Sequence, residues 1–175
     1  MIQEIMNNLD LQDKKNLSLV NKQLQKNYSM LYKYYNRFIK NKKIIQCDTN
    51  NLNEFPNLTH LEFETYFNKN VDNLPQTLTH LKFRKEFNHC VDNLPPTLTH
   101  LEFGHYFNQS VNNLPQNLTH LEFGFEFNQN VHNLPPNITH LTFGEKFNQS
   151  VHNLPPNLTH LTFGIKFNKN VNNLP

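Results

Sequence analysis

The sequence predicts an α+β fold: a small helical head over about residues 1–46, followed over 47–175 by a parallel β-solenoid of about six twenty-residue coils. Three observations predict it. Leu-Thr-His-Leu-x-Phe returns every twenty residues at Leu58, Leu78, Leu98, Leu118 and Leu158, and Ile138 opens the remaining copy. Each copy runs on in register through Phe-Asn (Phe67-Asn68 to Phe167-Asn168) and Val (Val71 to Val171) to Asn-Leu-Pro, which begins at Asn73 and recurs to Asn173. The first fifty residues lack this period and carry helix-spaced apolar residues instead. A twenty-residue unit holds too little apolar area to fold alone and must stack on its neighbours, so the function of such a chain lies in a surface.

In the head, Ile2, Ile5, Met6 and Leu9 fall at i, i+3, i+4 and i+7, one face of a helix. Asp10 and Asp13 supply N-cap side chains for a second helix bearing Leu17, Val20 and Leu24. A third series, Leu24, Tyr28, Leu31, Tyr35 and Phe38, alternates steps of four and three, the mark of an amphipathic helix across about 22–40. Lys42-Lys43-Ile44-Ile45 is expected to lead into the first coil.

Within Leu58-Thr59-His60-Leu61-Glu62-Phe63 a strand alternates faces at every residue, so Leu61 and Phe63 share one side and His60 and Glu62 the other. The apolar pair must go inward, which turns the histidines outward. Pro75 and its equivalents fix φ at a corner where no ladder donor is needed. The Asn68–Asn168 column is expected to form a buried amide ladder that satisfies backbone groups at a coil corner, and Asn73–Asn173 a second one. Such coils resemble those of leucine-rich repeats.

Composition narrows the function. The 175 residues carry a formal net charge of +2, divided into +5 over residues 1–50 (nine Lys/Arg, four Asp/Glu) and −3 over the rest. The head lysines are dispersed at helix-surface spacing, which reads as a solvated face and not as a nucleic-acid contact. No apolar run approaches the ~20 residues that span a bilayer, and no secretory h-region opens the chain. Cys47 and Cys90 fit neither metal nor redox spacing, which points to a reducing compartment. The Asn-x-Thr triplets at Asn57, Asn117, Asn137 and Asn157 are then by-products of the repeat. The glycines follow the repeat and form no phosphate loop, neither cysteine sits in a nucleophile motif, and the acids occupy variable columns; no catalytic residue, cofactor or metal site is expected.

Leu-Pro-x-x-Leu-Thr-His-Leu-x-Phe-Gly-x-x-Phe-Asn-x-x-Val, over about 57–175, resembles the FNIP repeat. In the head, Ile5-Met6-x-x-Leu9-x-Leu11-x-Asp13-x-x-x-Leu17-Ser18-Leu19-Val20-Asn21-Lys22-x-Leu24 resembles the F-box, without its opening Leu-Pro and with no Trp after Lys22. Together they resemble the F-box and FNIP-repeat-containing proteins of amoebae and of the giant viruses that infect them. The resemblance implies a non-enzymatic adaptor of a Skp-cullin-F-box ubiquitin ligase, cytoplasmic (in the host cytoplasm if viral). Ile5, Leu9, Leu11, Leu17, Leu19 and Val20 would meet a Skp-type adaptor, and the repeats would hold an unknown protein target. The alternatives are a repeat binding module whose head is only a cap, and a metal-binding histidine ladder.

The expected target face combines the constant His60, His80, His100, His120, His140 and His160 with members of the variable columns: Glu102, His105, Tyr106, Phe125 and Ile165. Exposed aromatic and aliphatic anchors ringed by polar residues carry most interface energy. The first coil departs from the pattern: Phe55-Pro56 stands one residue closer to Leu58 than Leu74-Pro75 does to Leu78, and no glycine precedes Gly104. The chain ends at Leu174-Pro175, the opening of a seventh coil, and a bare last coil is expected to be able to pair with a second molecule.

Overall fold

The computed structural model describes residues 42–45, 52, 57–172, 174 and 175. The helices expected over 1–40 lie outside the described residues, and with them the candidate adaptor-binding residues Ile5, Leu9, Leu11, Leu17, Leu19 and Val20. The chain divides into two compact units, Met1–Lys40 and Asn41–Pro175.

The second unit is a parallel β-solenoid. Its strands are β1 (Lys42–Ile45), β2 (His60–Phe63), β3 (His80–Lys82), β4 (His100–Glu102), β5 (His120–Glu122), β6 (His140–Thr142) and β7 (His160–Thr162). They form one sheet in sequence order, every pair parallel. From β2 onward the register advances by one repeat per rung, so His60 lies beside His80 and Leu61 beside Leu81. Lys42-Lys43-Ile44-Ile45, expected only to lead in, is itself a rung: Lys42 is registered with His60 and Ile45 with Phe63. The sheet therefore has seven strands where six were expected.

The six apolar columns all face inward. In the third coil Leu98, Leu101, Phe103, Phe107, Val111 and Leu114 are each at most 3% exposed, and the pattern repeats from the first coil to the fifth. No polar or charged residue is buried among the described residues. Twelve phenylalanines form a double ladder: rings stack at 3.7–3.8 Å within a coil (Phe63–Phe67 to Phe163–Phe167). Between coils they repeat at 5.3–6.1 Å. Each fully buried ring contributes roughly 1.5–3 kcal/mol through its area, with stacking adding up to about 1.5.

The proline corners behave as expected. Pro75, Pro95, Pro115, Pro135 and Pro155 are buried, and each lends its carbonyl to the N–H three residues on, at 3.2–3.4 Å. The glycines answer a different need. A Cβ on Gly104 would stand 1.8 Å from the Arg84 carbonyl oxygen, and on Gly124 1.9 Å from that of Gly104. None lies at positive φ; here glycine serves close approach of one coil to the next, not handedness.

The asparagine column is a ladder, but it does not lie in the interior. Asn68 Oδ1 accepts the Asn88 N–H at 2.9 Å, and the same bond repeats through Asn168. Asn68, Asn88 and Asn168 are exposed and Asn108, Asn128 and Asn148 half-buried. The reason is local: the strand ends at Phe63, and Asn68 sits beyond the turn that follows, where face alternation no longer places a side chain. At the second column, Asn93 and Asn113 donate to Asp72 and Asp92 at 3.0 and 3.1 Å.

Candidate functional site

The outer face of the sheet is built from two columns. The first is the six histidines, whose rings stack at 4.0, 4.1, 4.2, 4.2 and 4.1 Å with interplanar angles of 9–12°. His60 to His140 are half-buried and His160 is exposed. The spacing follows from strand separation: identical side chains in register on parallel rungs have nowhere to go but onto one another.

Each ring is held by the threonine before it. Thr Oγ1 lies 2.9 Å from the Nδ1 of the following histidine in all six coils. From Thr79 to Thr159 that hydroxyl also lies 3.1–3.2 Å from the carbonyl oxygen of the threonine one coil below, as donor. The same carbonyl takes the backbone N–H groups of the upper threonine and histidine at 2.9 and 3.0 Å. Thr-His was visible in every repeat, but its hydroxyl bridge was not anticipated; the constancy of the pair was the available signal.

Burial holds the imidazoles of His100, His120 and His140 below their ordinary value, and repulsion between rungs adds to it. For His100 the repelling neighbours are His80, then His60 and His140. A charged ring in this stack loses water on its faces and meets like charge above and below.

The second column reads Glu62, Lys82, Glu102, Glu122, Thr142 and Thr162. Lys82 pairs with Glu102, and Arg84 reaches back to Glu62 at 2.7 Å. Shielding from solvent and then Glu102 push the Glu122 carboxyl up from its usual value, with Lys82 opposing.

The other expected anchors lie on the turn after each strand and form a rim. His105 stacks on Phe125 at 4.8 Å and meets Tyr106 edge-on at 4.6 Å. Lys85 sits over the Tyr106 ring and Lys146 over that of Phe125, both at 5.6 Å. Phe125 is half-buried, whereas Ile165 is 82% exposed and Tyr66, which the sequence did not single out, 84%. A groove of about 320 Å³ runs between this rim and the sheet face, lined by Lys82, Arg84, Lys85, Glu102 and His105 among others. The structure thus separates the expected target residues into a sheet face (the histidines and Glu102) and a rim (His105, Tyr106, Phe125 and Ile165).

Parallel stacking sets the ring nitrogens side by side and does not converge them on one point, as a tetrahedral centre needs. Among the described residues no group of three or more His, Cys, Asp or Glu could hold a metal ion. Cys90 is exposed, and its thiol, which donates to Asp92 at 3.0 Å, is pushed up chiefly by that bond. Among the described residues no helix is long and apolar enough to cross a membrane.

A solved structure described as "The crystal structure of CroV588 a novel circular LRR protein structure" is similar at 50% identity and a TM-score of 0.65, over 70% of this chain. The chain spans 20% of that protein's length. No curated protein matches. The FNIP Repeat family matches at 53–86, 67–106, 87–126, 107–146 and 127–166. These overlapping matches cover more than half the chain and coincide with the stacked coils, and the chain belongs to the FNIP repeat family.

Proposed function

We propose that this chain is a non-enzymatic protein-interaction adaptor whose solenoid presents a target-binding face and whose head engages a Skp-type adaptor of a cullin ubiquitin ligase. The observation that carries the binding role is the division of labour between columns. The inward columns are nearly invariant and fully apolar, while the outward ones at 62, 65 and 66 change character from coil to coil. A stacked core that tolerates any exposed residue leaves those positions to recognition. Repeat solenoids of this kind are scaffolds, usually without catalysis. The ligase role is supported by the F-box-like pattern at Ile5, Leu9, Leu11, Leu17, Leu19 and Val20.

Calorimetry of the full chain against a purified Skp-type adaptor tests the ligase role. Binding is expected, and its loss in Leu19→Asp/Val20→Asp with an unchanged solenoid melting transition would support it. No binding by the intact chain would contradict it and leave a repeat binding module whose head is a cap.

A further inference from the structure

The threonine-histidine bridge determines which ring nitrogen carries the proton. A hydroxyl has one hydrogen to give. Thr99 Oγ1 lies 3.1 Å from the Thr79 carbonyl and 2.9 Å from His100 Nδ1. If the hydroxyl turns its hydrogen to the imidazole, two oxygens face each other at 3.1 Å with no proton between them. If it turns to the carbonyl, Nδ1–H donates to Oγ1 and both contacts become hydrogen bonds. The same choice recurs at His120, His140 and His160. The arrangement with more bonds places the proton on Nδ1 and leaves Nε2 as an acceptor, with no protein partner at these four rings among the described residues.

We propose that the outer face of β4–β7 recognises an extended, cationic segment of a partner protein, through the Nε2 acceptors of His100, His120, His140 and His160 beside the carboxylates of Glu102 and Glu122. The inference rests on the reading of the solenoid as a binding module and names the chemistry of its partner. From β4 to β7 neither outer column contains a cation. Lys82 and Arg84, on the neighbouring rung, are turned to Glu102 and Glu62. A face that offers acceptors and net negative charge is complementary to Lys and Arg side chains, which are donors only. Protonation reverses both properties at once, since an imidazolium Nε2 donates and repels a cation. The charged groups that share this face with the ladder are Glu62, Lys82, Glu102 and Glu122, with Arg84 at its edge.

Two measurements on the full chain test the proposal. Long-range ¹H–¹⁵N spectra of the imidazoles at about pH 8, assigned with single His→Gln variants, should show the Nδ1–H form at His100, His120 and His140. A predominance of Nε2–H would overturn it. Calorimetry then compares peptides of about ten residues alternating Arg with Ser, or Glu with Ser. The Arg peptide should bind at about pH 7.5 and weaken by about tenfold both near pH 5.5 and in Glu102→Gln/Glu122→Gln, but not in Asp72→Asn on a separate turn. Melting of each variant verifies its fold. Preference for the Glu peptide, equal loss in Asp72→Asn, or no binding of the Arg peptide would each overturn the cationic partner. Capture of a different purified target by this face would then leave the interaction-module reading intact.

Discussion

The same short strands carry two ladders, one of phenylalanine on the inside and one of histidine on the outside, and they obey different physics. Phe103 and His100 are three residues apart on β4 and its exit, and both stack on their equivalents one coil away. The inner ladder is dry, and its stability comes from lost water and close packing, neither of which changes with pH. The outer ladder is half-wet and titratable, held in line by hydroxyls and strand spacing. What can be altered without unfolding is therefore confined to the outside, which is where a repeat protein places recognition.

The comparison can be broken at several strengths. Phe107→Ala opens the inner ladder at a fully buried ring and should cost about 3–5 kcal/mol by denaturant titration, the largest single effect expected. Gly124→Ala, which drives a methyl into the Gly104 carbonyl, should cost about 1–3 kcal/mol by forcing two coils apart. Asn108→Ala removes the acceptor for the Asn128 N–H and the Gln129 amide; at a half-buried site this should cost about 1 kcal/mol. Glu102→Ala on the outer face should stay within about 0.5 kcal/mol, because its pair with Lys82 is solvent-exposed. Equal costs for Phe107→Ala and Glu102→Ala would mean that the two faces have been interchanged.

Most of the solenoid was legible because two periods coincide: twenty residues set the coil, and strand alternation then sorts Leu61 and Phe63 from His60 and Glu62. The strand β1 was not, since Lys42-Lys43-Ile44-Ile45 belongs to no copy of the repeat and lies eighteen residues, not twenty, before its partner. The Asn68 ladder was legible from its column but its exposure was not, because a corner amide can accept the next coil's N–H from the surface as well as from the interior. The glycine column reported its spacing but not its cause, which lies in how closely one coil's backbone approaches another's. The outward histidines were legible; the hydroxyl bridge that orients them needed three dimensions, because it joins a side chain to a carbonyl twenty residues away.

Identical coils close their phenylalanines inward and leave a stacked imidazole column against water. The imidazoles of His100, His120 and His140 are held low in the folded chain, so below about pH 6.5 the unfolded chain binds more protons than the folded one. Stability is complete above that pH and is lost progressively as pH falls through it. Melting temperature measured from about pH 8 to 5.5, above the ordinary carboxylate range, is the most direct test. The account predicts a steady fall that shrinks in His100→Asn/His120→Asn/His140→Asn; a flat profile, or one unchanged by that variant, would contradict it.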